Sequence, residues 1–179
     1  LGETLSIRII KLRKKLALGN DEEKFFTRVY DNGKTETLTL WKQKYGEKEK
    51  TLVMEGTATE IRGAHPVKVV SVVYGIVGDT LVKFNVKGAS LTGDDGLFSY
   101  LDVVRDAGLA NFQVETLVTV EKIAKNRAIS YHRGHFKRGK TFTDGFEQVE
   151  AYLDIVNGAQ PEVKPVVVDE VEEKFNDTF

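Results

Sequence analysis

Apolar and polar positions alternate through most of the chain, and this period predicts a mainly β fold. The clearest local pattern is residues 25–42, FFTRVYDNGKTETLTLWK. Asn and Gly accept positive φ at low cost, so Asp31-Asn32-Gly33 reads as a hairpin turn with Asn32-Gly33 as its two-residue loop. Tyr30 then pairs with Thr35, Arg28 with Thr37 and Phe26 with Thr39. Side chains alternate across a strand. One face therefore carries Phe25, Thr27, Val29, Leu38 and Leu40, which reads as core. The other carries Phe26, Arg28, Tyr30, Thr35, Thr37, Thr39 and Trp41. Three aromatic rings and an arginine among threonines suit either a stacking platform for bases or a surface covered by a second sheet or a partner.

Residues 5–18, LSIRIIKLRKKLAL, fit two patterns. Leu5, Ile9, Leu12 and Leu16 have helical spacing, with Thr4 as N-cap, Gly19 as stop and Arg8, Lys11, Lys14 and Lys15 on the polar side. The adjacent β-branched pair Ile9-Ile10 favours a strand over 5–12 instead. Residues 43–50 read as a charged loop. Thr51–Arg62 and Val67–Val77 read as long strands around the turn Gly63-Ala64-His65-Pro66. Gly78-Asp79 turns the chain into a strand over Thr80–Lys87, with Val82, Phe84 and Val86 inward and Lys83 and Lys87 outward. A helix is predicted over 97–107, capped by Asp94 or Asp95, with Leu97, Leu101 and Val104 as its stripe and Gly108 as its stop. Strands over Val114–Lys122 and Ala128–Lys137 flank a turn at Ala124-Lys125-Asn126. A second helix over 146–156 turns Phe146, Val149, Leu153 and Val156 inward and stops at Asn157-Gly158. The order from Thr51 on places a helix between third and fourth strands, as in a five-stranded Greek-key barrel of the OB type. A β-sandwich with added helices would read similarly. The predicted organisation is one β-rich domain over 1–158, with its hairpin near the N-terminus, and a tail over 159–179.

Charge sharpens the reading. The chain of 179 residues has a net charge of −1. Residues 161–179 hold six acids and two lysines, and the preceding 160 residues hold 24 bases and 21 acids. A weakly basic body with an acidic tail results. Within the body, EKIAKNRAISYHRGHFKRGKTFT (121–143) carries seven Lys or Arg against one acid, Glu121, with Tyr131, Phe136 and Phe142 interleaved. Basic side chains attract phosphates and aromatic rings offer faces to bases, although exposed basic strands are also simply solvated. The candidate nucleic-acid-binding set is Phe26, Arg28, Tyr30, Trp41, Lys83, Lys87, Lys125, Arg127, Tyr131, Arg133, Phe136, Lys137 and Arg138.

Catalytic patterns are missing. With no cysteine, thiol nucleophiles, disulfides and Cys-based zinc sites fall away, in keeping with a reducing compartment. No Gly-x-Ser-x-Gly elbow, P-loop or dinucleotide fingerprint occurs, and Ser90 in Gly88-Ala89-Ser90-Leu91 lacks the second glycine. His132 and His135 would point to opposite faces of a strand, and His65 precedes a proline, so no metal set emerges. No catalytic residue, metal or cofactor is therefore assigned. The polar start Leu1-Gly2-Glu3-Thr4 has no leader pattern, and no apolar run reaches the roughly 18 residues of a membrane span. A cytoplasmic protein, of a bacterial cell or of the host of a virus, is expected.

The tail reads VVVDEVEEKFNDTF over 166–179. An acidic end closing on Phe resembles single-stranded DNA-binding proteins of bacteria and their phages, which join an OB fold to a flexible acidic tail ending in an aromatic residue. Asn176, Thr178 and Lys174 dilute the acidic run, and the Gly/Pro/Gln-rich linker of that family is nearly absent. The resemblance implies single-stranded DNA binding in replication or recombination. It also implies protein partners recruited through Asp169, Glu170, Glu172, Glu173, Phe175, Asp177 and Phe179, and competition between tail and DNA for the basic groove. Monomer and homo-oligomer both remain open. The alternative is a structural or interaction protein, such as a virion or assembly component, whose aromatic face packs on a partner subunit.

Overall fold

A computed structural model describes residues 2–127 and 130–158, and the backbone of 166–167. The chain is mainly β, as its alternation predicts. In chain order the elements are β1 (Thr4–Gly19), β2 (Glu23–Phe26), β3 (Leu38–Lys44), β4 (Thr51–Gly56), α1 (Ala58–Ala64), β5 (Lys68–Val77) and β6 (Thr80–Val86). The one-turn α2 (Ala89–Thr92), α3 (Leu97–Asp106), β7 (Val114–Ala124), β8 (Ser130–Thr141), α4 (Phe146–Val156) and β9 (Val166–Val167) follow. The expected body over 1–158 contains two compact units. Residues up to Leu12 and from Val73 on form the first, and Arg13–Val72 form the second, inserted one.

In the first unit the strand order is β6-β5-β1-β7-β8. Numbered from the N-terminus within this unit, that is 3-2-1-4-5, the order of an OB barrel, with α3 between the third and fourth strands. Among the described residues no ladder joins β6 to β8, so the sheet is not closed. Inward residues of each strand meet α3 in one core: Ile7, Ile9, Val82, Phe84, Val86, Val118 and Phe136 pack with Leu97, Tyr100 and Val104. The hairpin β5–β6 turns at Gly78, whose φ of 61° suits glycine. Gly75 lets β5 approach β1 closely, since a Cβ there would lie 3.0 Å from the carbonyl oxygen of Arg8.

The 146–156 helix forms at its expected bounds, and Gly158 ends it at φ 84°. Phe146 does not turn inward. It is 38% exposed, and its ring meets that of Phe112 edge-on at 6.1 Å. The 97–107 helix forms as α3, but no side chain caps it: Gly96 is its N-cap. Asp95 is drawn away toward β8.

In the inserted unit, β4-β3-β2 and the second half of β1 form an antiparallel run. Leu16, Tyr30, Leu38 and Leu40 pack on Ala58 and Ile61 of α1. This helix replaces the last half of the strand expected over Thr51–Arg62. Its cause is a capping box: Thr57 accepts the Glu60 N–H at 3.2 Å, and the Glu60 carboxylate accepts the Thr57 N–H at 2.9 Å. The residues before Pro66 then end it.

The 25–42 hairpin has a different register from the one expected. Phe26 lies opposite Trp41, not Thr39, and residues 27–37 form the connection. Tyr30 leaves the pair altogether and exchanges backbone hydrogen bonds with Lys14 at 2.7 and 3.0 Å. Side-chain turn chemistry is the reason. The Glu36 carboxylate accepts the N–H groups of Asp31 and Asn32, both at 2.7 Å, and Asn32 Oδ1 accepts that of Lys34. These bonds close a compact turn in which Gly33 keeps a negative φ, so no two-residue loop is needed. They also hold the Glu36 carboxyl below its usual range, the Asn32 N–H contributing most.

Candidate nucleic-acid interface

Two strips carry the candidate residues, one in each unit. In the inserted unit the face away from α1 is set by register. Ala17 lies opposite Phe26, Phe26 opposite Trp41, and Trp41 opposite Leu52, so one apolar row crosses four strands. A bulge between Leu40 and Trp41 brings Leu52 into that row in place of Val53. Phe26 and Trp41 are half-buried, and Leu52 is 50% exposed. Lysines cover the rings: Lys50 Nζ sits 4.2 Å above the Trp41 centroid and Lys24 Nζ 5.3 Å from that of Phe26. Each such cation–π contact is worth about 0.5–1 kcal/mol at an exposed site. Planar rings beside ammonium groups can stack bases and meet phosphates.

Two residues expected on this face are elsewhere. Tyr30 is 2% exposed in the core beneath α1, its ring against Gly33, and burial pushes its hydroxyl pKa up. Arg28 is exposed but committed: it binds Glu36 at 3.1 Å and donates to the carbonyls of Val29 and Thr37. Leu52 and Lys50 gave no signal in the sequence, because only the register and its bulge align them with Trp41, whereas Lys24, two residues before Phe26 on β2, follows from alternation along that strand.

In the first unit, β7 and β8 form a long hairpin whose loop holds Lys125 and Arg127, both exposed. The outer face of β8 carries Tyr131, Arg133, His135 and Lys137, opposite Ile123, Glu121, Thr119 and Leu117. Phe136 points the other way and is 4% exposed in the core, so it is no contact residue. Arg138 is exposed and donates to Thr141 Oγ1 at 3.2 Å. Lys83 on β6 is half-buried, whereas Lys87, just past the end of β6, is buried rather than outward.

Carboxylates of β7 and of the turn before α3 reach this basic face. His135 Nε2 lies 2.9 Å from Glu121 and its Nδ1 3.7 Å from Asp95. Glu115 accepts the Ser6 hydroxyl at 2.5 Å and the Lys140 N–H at 3.1 Å, which holds its carboxyl below the usual range, the Ser6 bond contributing most. A cleft of about 410 Å³ opens here, lined by Thr4, Thr119, Glu121, His135 and Lys137. Arg133 is half-buried with its guanidinium against the turn before α3, where a Cβ on Gly93 would lie 2.6 Å from its Nη2. Its Nε is buried without an acceptor, so it supports the turn more than it faces solvent. Ser90 is buried, and its hydroxyl accepts the Gly134 N–H at 2.8 Å, a packing role.

The residue most underrated by sequence is Arg8. It is 7% exposed, donates to the carbonyls of Phe112 (2.7 Å) and Asp144 (2.9 Å), and lies 4.2 Å from the Phe142 ring centroid. Burial lowers its pKa, with Asp144 opposing. It clamps the loops flanking the β7–β8 hairpin onto β1, and the interleaved Phe142 serves that clamp. An arginine between isoleucines on a strand gave no signal of this in sequence.

Among the described residues no group of three or more His, Asp or Glu is placed to hold a metal ion, and no helix is long and apolar enough to cross a membrane. The tail residues Asp169, Glu170, Glu172, Glu173, Phe175, Asp177 and Phe179 lie outside the described residues. Comparison with family models, curated proteins and solved structures finds no match for this chain.

Proposed function

We propose that the protein binds single-stranded nucleic acid, DNA in the first instance, through the aromatic strip of its inserted unit. The observation that carries this reading is the row Phe26–Trp41–Leu52 with Lys24 and Lys50 over the rings. Stacking on aromatic side chains tolerates any base, because every base has a π-face. The strand order adds support. OB folds engage oligonucleotides through the loop between strands 1 and 2 and that between strands 4 and 5. Here the first of these is the whole inserted unit, and the second contains Lys125 and Arg127. The acidic tail is then the end that meets replication or recombination proteins and competes with DNA for basic groups.

The second reading is an interaction protein whose same strip packs on a partner subunit. Leu52, 50% exposed at the end of the row, favours it, since an aliphatic side chain stacks no base. Binding isotherms with labelled oligo-dT and a duplex control separate the two. Single-strand binding that weakens on Trp41→Ala and Phe26→Ala supports the first. Absence of binding, with self-association that those substitutions abolish, supports the second.

A further inference from the structure

β6 ends the ordered strand path except for one neighbour, β9. Val166–Val167 runs parallel to β6, with Val166 opposite Val82 and Val167 opposite Lys83. No described ladder joins that side of β6 to β8. An edge strand presents N–H and C=O groups that pair readily with another extended segment. The sequence at the pairing point is Pro165-Val166-Val167-Val168-Asp169: β-branched residues between a proline and the first acids of the tail. We propose that the β6 edge is a strand-accepting site for a short extended segment, and that this chain's own residues 166–167 are its replaceable occupant.

Residues 159–165 tether this segment to the end of α4. A link that short holds the segment at an effective concentration of about mM, so a weak contact keeps it docked. The same weakness lets a competing strand of another protein displace it. Main-chain hydrogen bonds supply the affinity.

The test uses the full chain. The double substitution Val166→Pro, Val167→Pro removes both N–H groups, one of which faces β6 because successive residues of a strand direct theirs to opposite edges, and it fits no paired strand. Hydrogen exchange in β6 should then run roughly five- to tenfold faster, the factor expected when a ladder bond is removed, with β7 unchanged. A labelled peptide of residues 162–172 should bind the double variant saturably and restore β6 protection, while binding the unaltered chain far more weakly. Equal β6 exchange in the two proteins, or equal peptide binding to both, overturns the proposal. Protection in the unaltered chain that grows with protein concentration would place the segment on a second copy and overturn its assignment within one chain. Neither readout involves nucleic acid, so failure here leaves the proposed function standing.

Discussion

The basic run of β8 and the aromatic row of the inserted unit differ in how folding treats them. Over 121–143 the sequence shows seven bases and one acid, Glu121, yet Asp95 from before α3 and Glu115 from the start of β7 add their carboxylates to that one. Arg133 turns to packing and Phe136 to the core. The aromatic row moves in the opposite sense. Tyr30 leaves it for the core, while Leu52 of β4, Lys50 just before β4 and Lys24 of β2 join it. Linear charge density is thus a poor guide to surface potential. A cross-strand row needs register, which no single segment of sequence carries.

The largest expected effects break each unit's core. Tyr30→Ala in the inserted unit and Phe136→Ala in the first should each cost about 3–5 kcal/mol, as for other buried aromatic truncations. Chemical denaturation checks this, and a change below about 1 kcal/mol for Tyr30→Ala would put the ring back on the open face.

Next come the stacking residues. Trp41→Ala and Phe26→Ala should each weaken single-strand binding by about 1–3 kcal/mol while the unfolding midpoint moves much less. Oligonucleotide titration beside thermal melts tests the pair.

A smaller effect separates the bases of the first unit. Lys125→Ala with Arg127→Ala should flatten the slope of log K against log salt by about 0.7 for each single-strand phosphate that is no longer neutralised. Arg133→Ala should leave the slope unchanged and lower stability. Isotherms at several salt concentrations decide, and a slope change on Arg133→Ala would restore it as a phosphate-binding residue.

The smallest effects are at acid pH. Glu36 and Glu115 have folded-state pKa values below the ordinary carboxylate value of 4.5. Their contribution is therefore present above that value and lost as pH falls through the lowered one. Stability should decline below about pH 4.5, and Glu36→Gln and Glu115→Gln should each make the decline shallower in a pH series of melts.

Much of the fold was legible because local signals agreed with it. The alternation of Val82, Phe84 and Val86 placed β6, and the apolar spacing with Asn157-Gly158 placed α4 at its observed bounds. The capping box at Thr57 and Glu60 was equally readable, and it explains the helix that alternation alone assigned to a strand. The turn at 31–36 was not readable as built. Asn32-Gly33 has the composition of a hairpin loop, but Glu36 and Asn32 provide competing side-chain acceptors. Arg8 and the acids around His135 were hidden for a different reason: their partners are far along the chain or on other strands, as Phe112 is for Arg8 and Asp95 for His135.

Trp41 is the chain's one tryptophan, and it sits in the middle of the proposed stacking row. Its fluorescence on titration with oligo-dT therefore reports the central claim directly. The account predicts saturable quenching by the single strand, weak quenching by a duplex of the same length, and loss of affinity as salt rises. Unchanged emission across the titration, at low salt and with the protein folded, would contradict it.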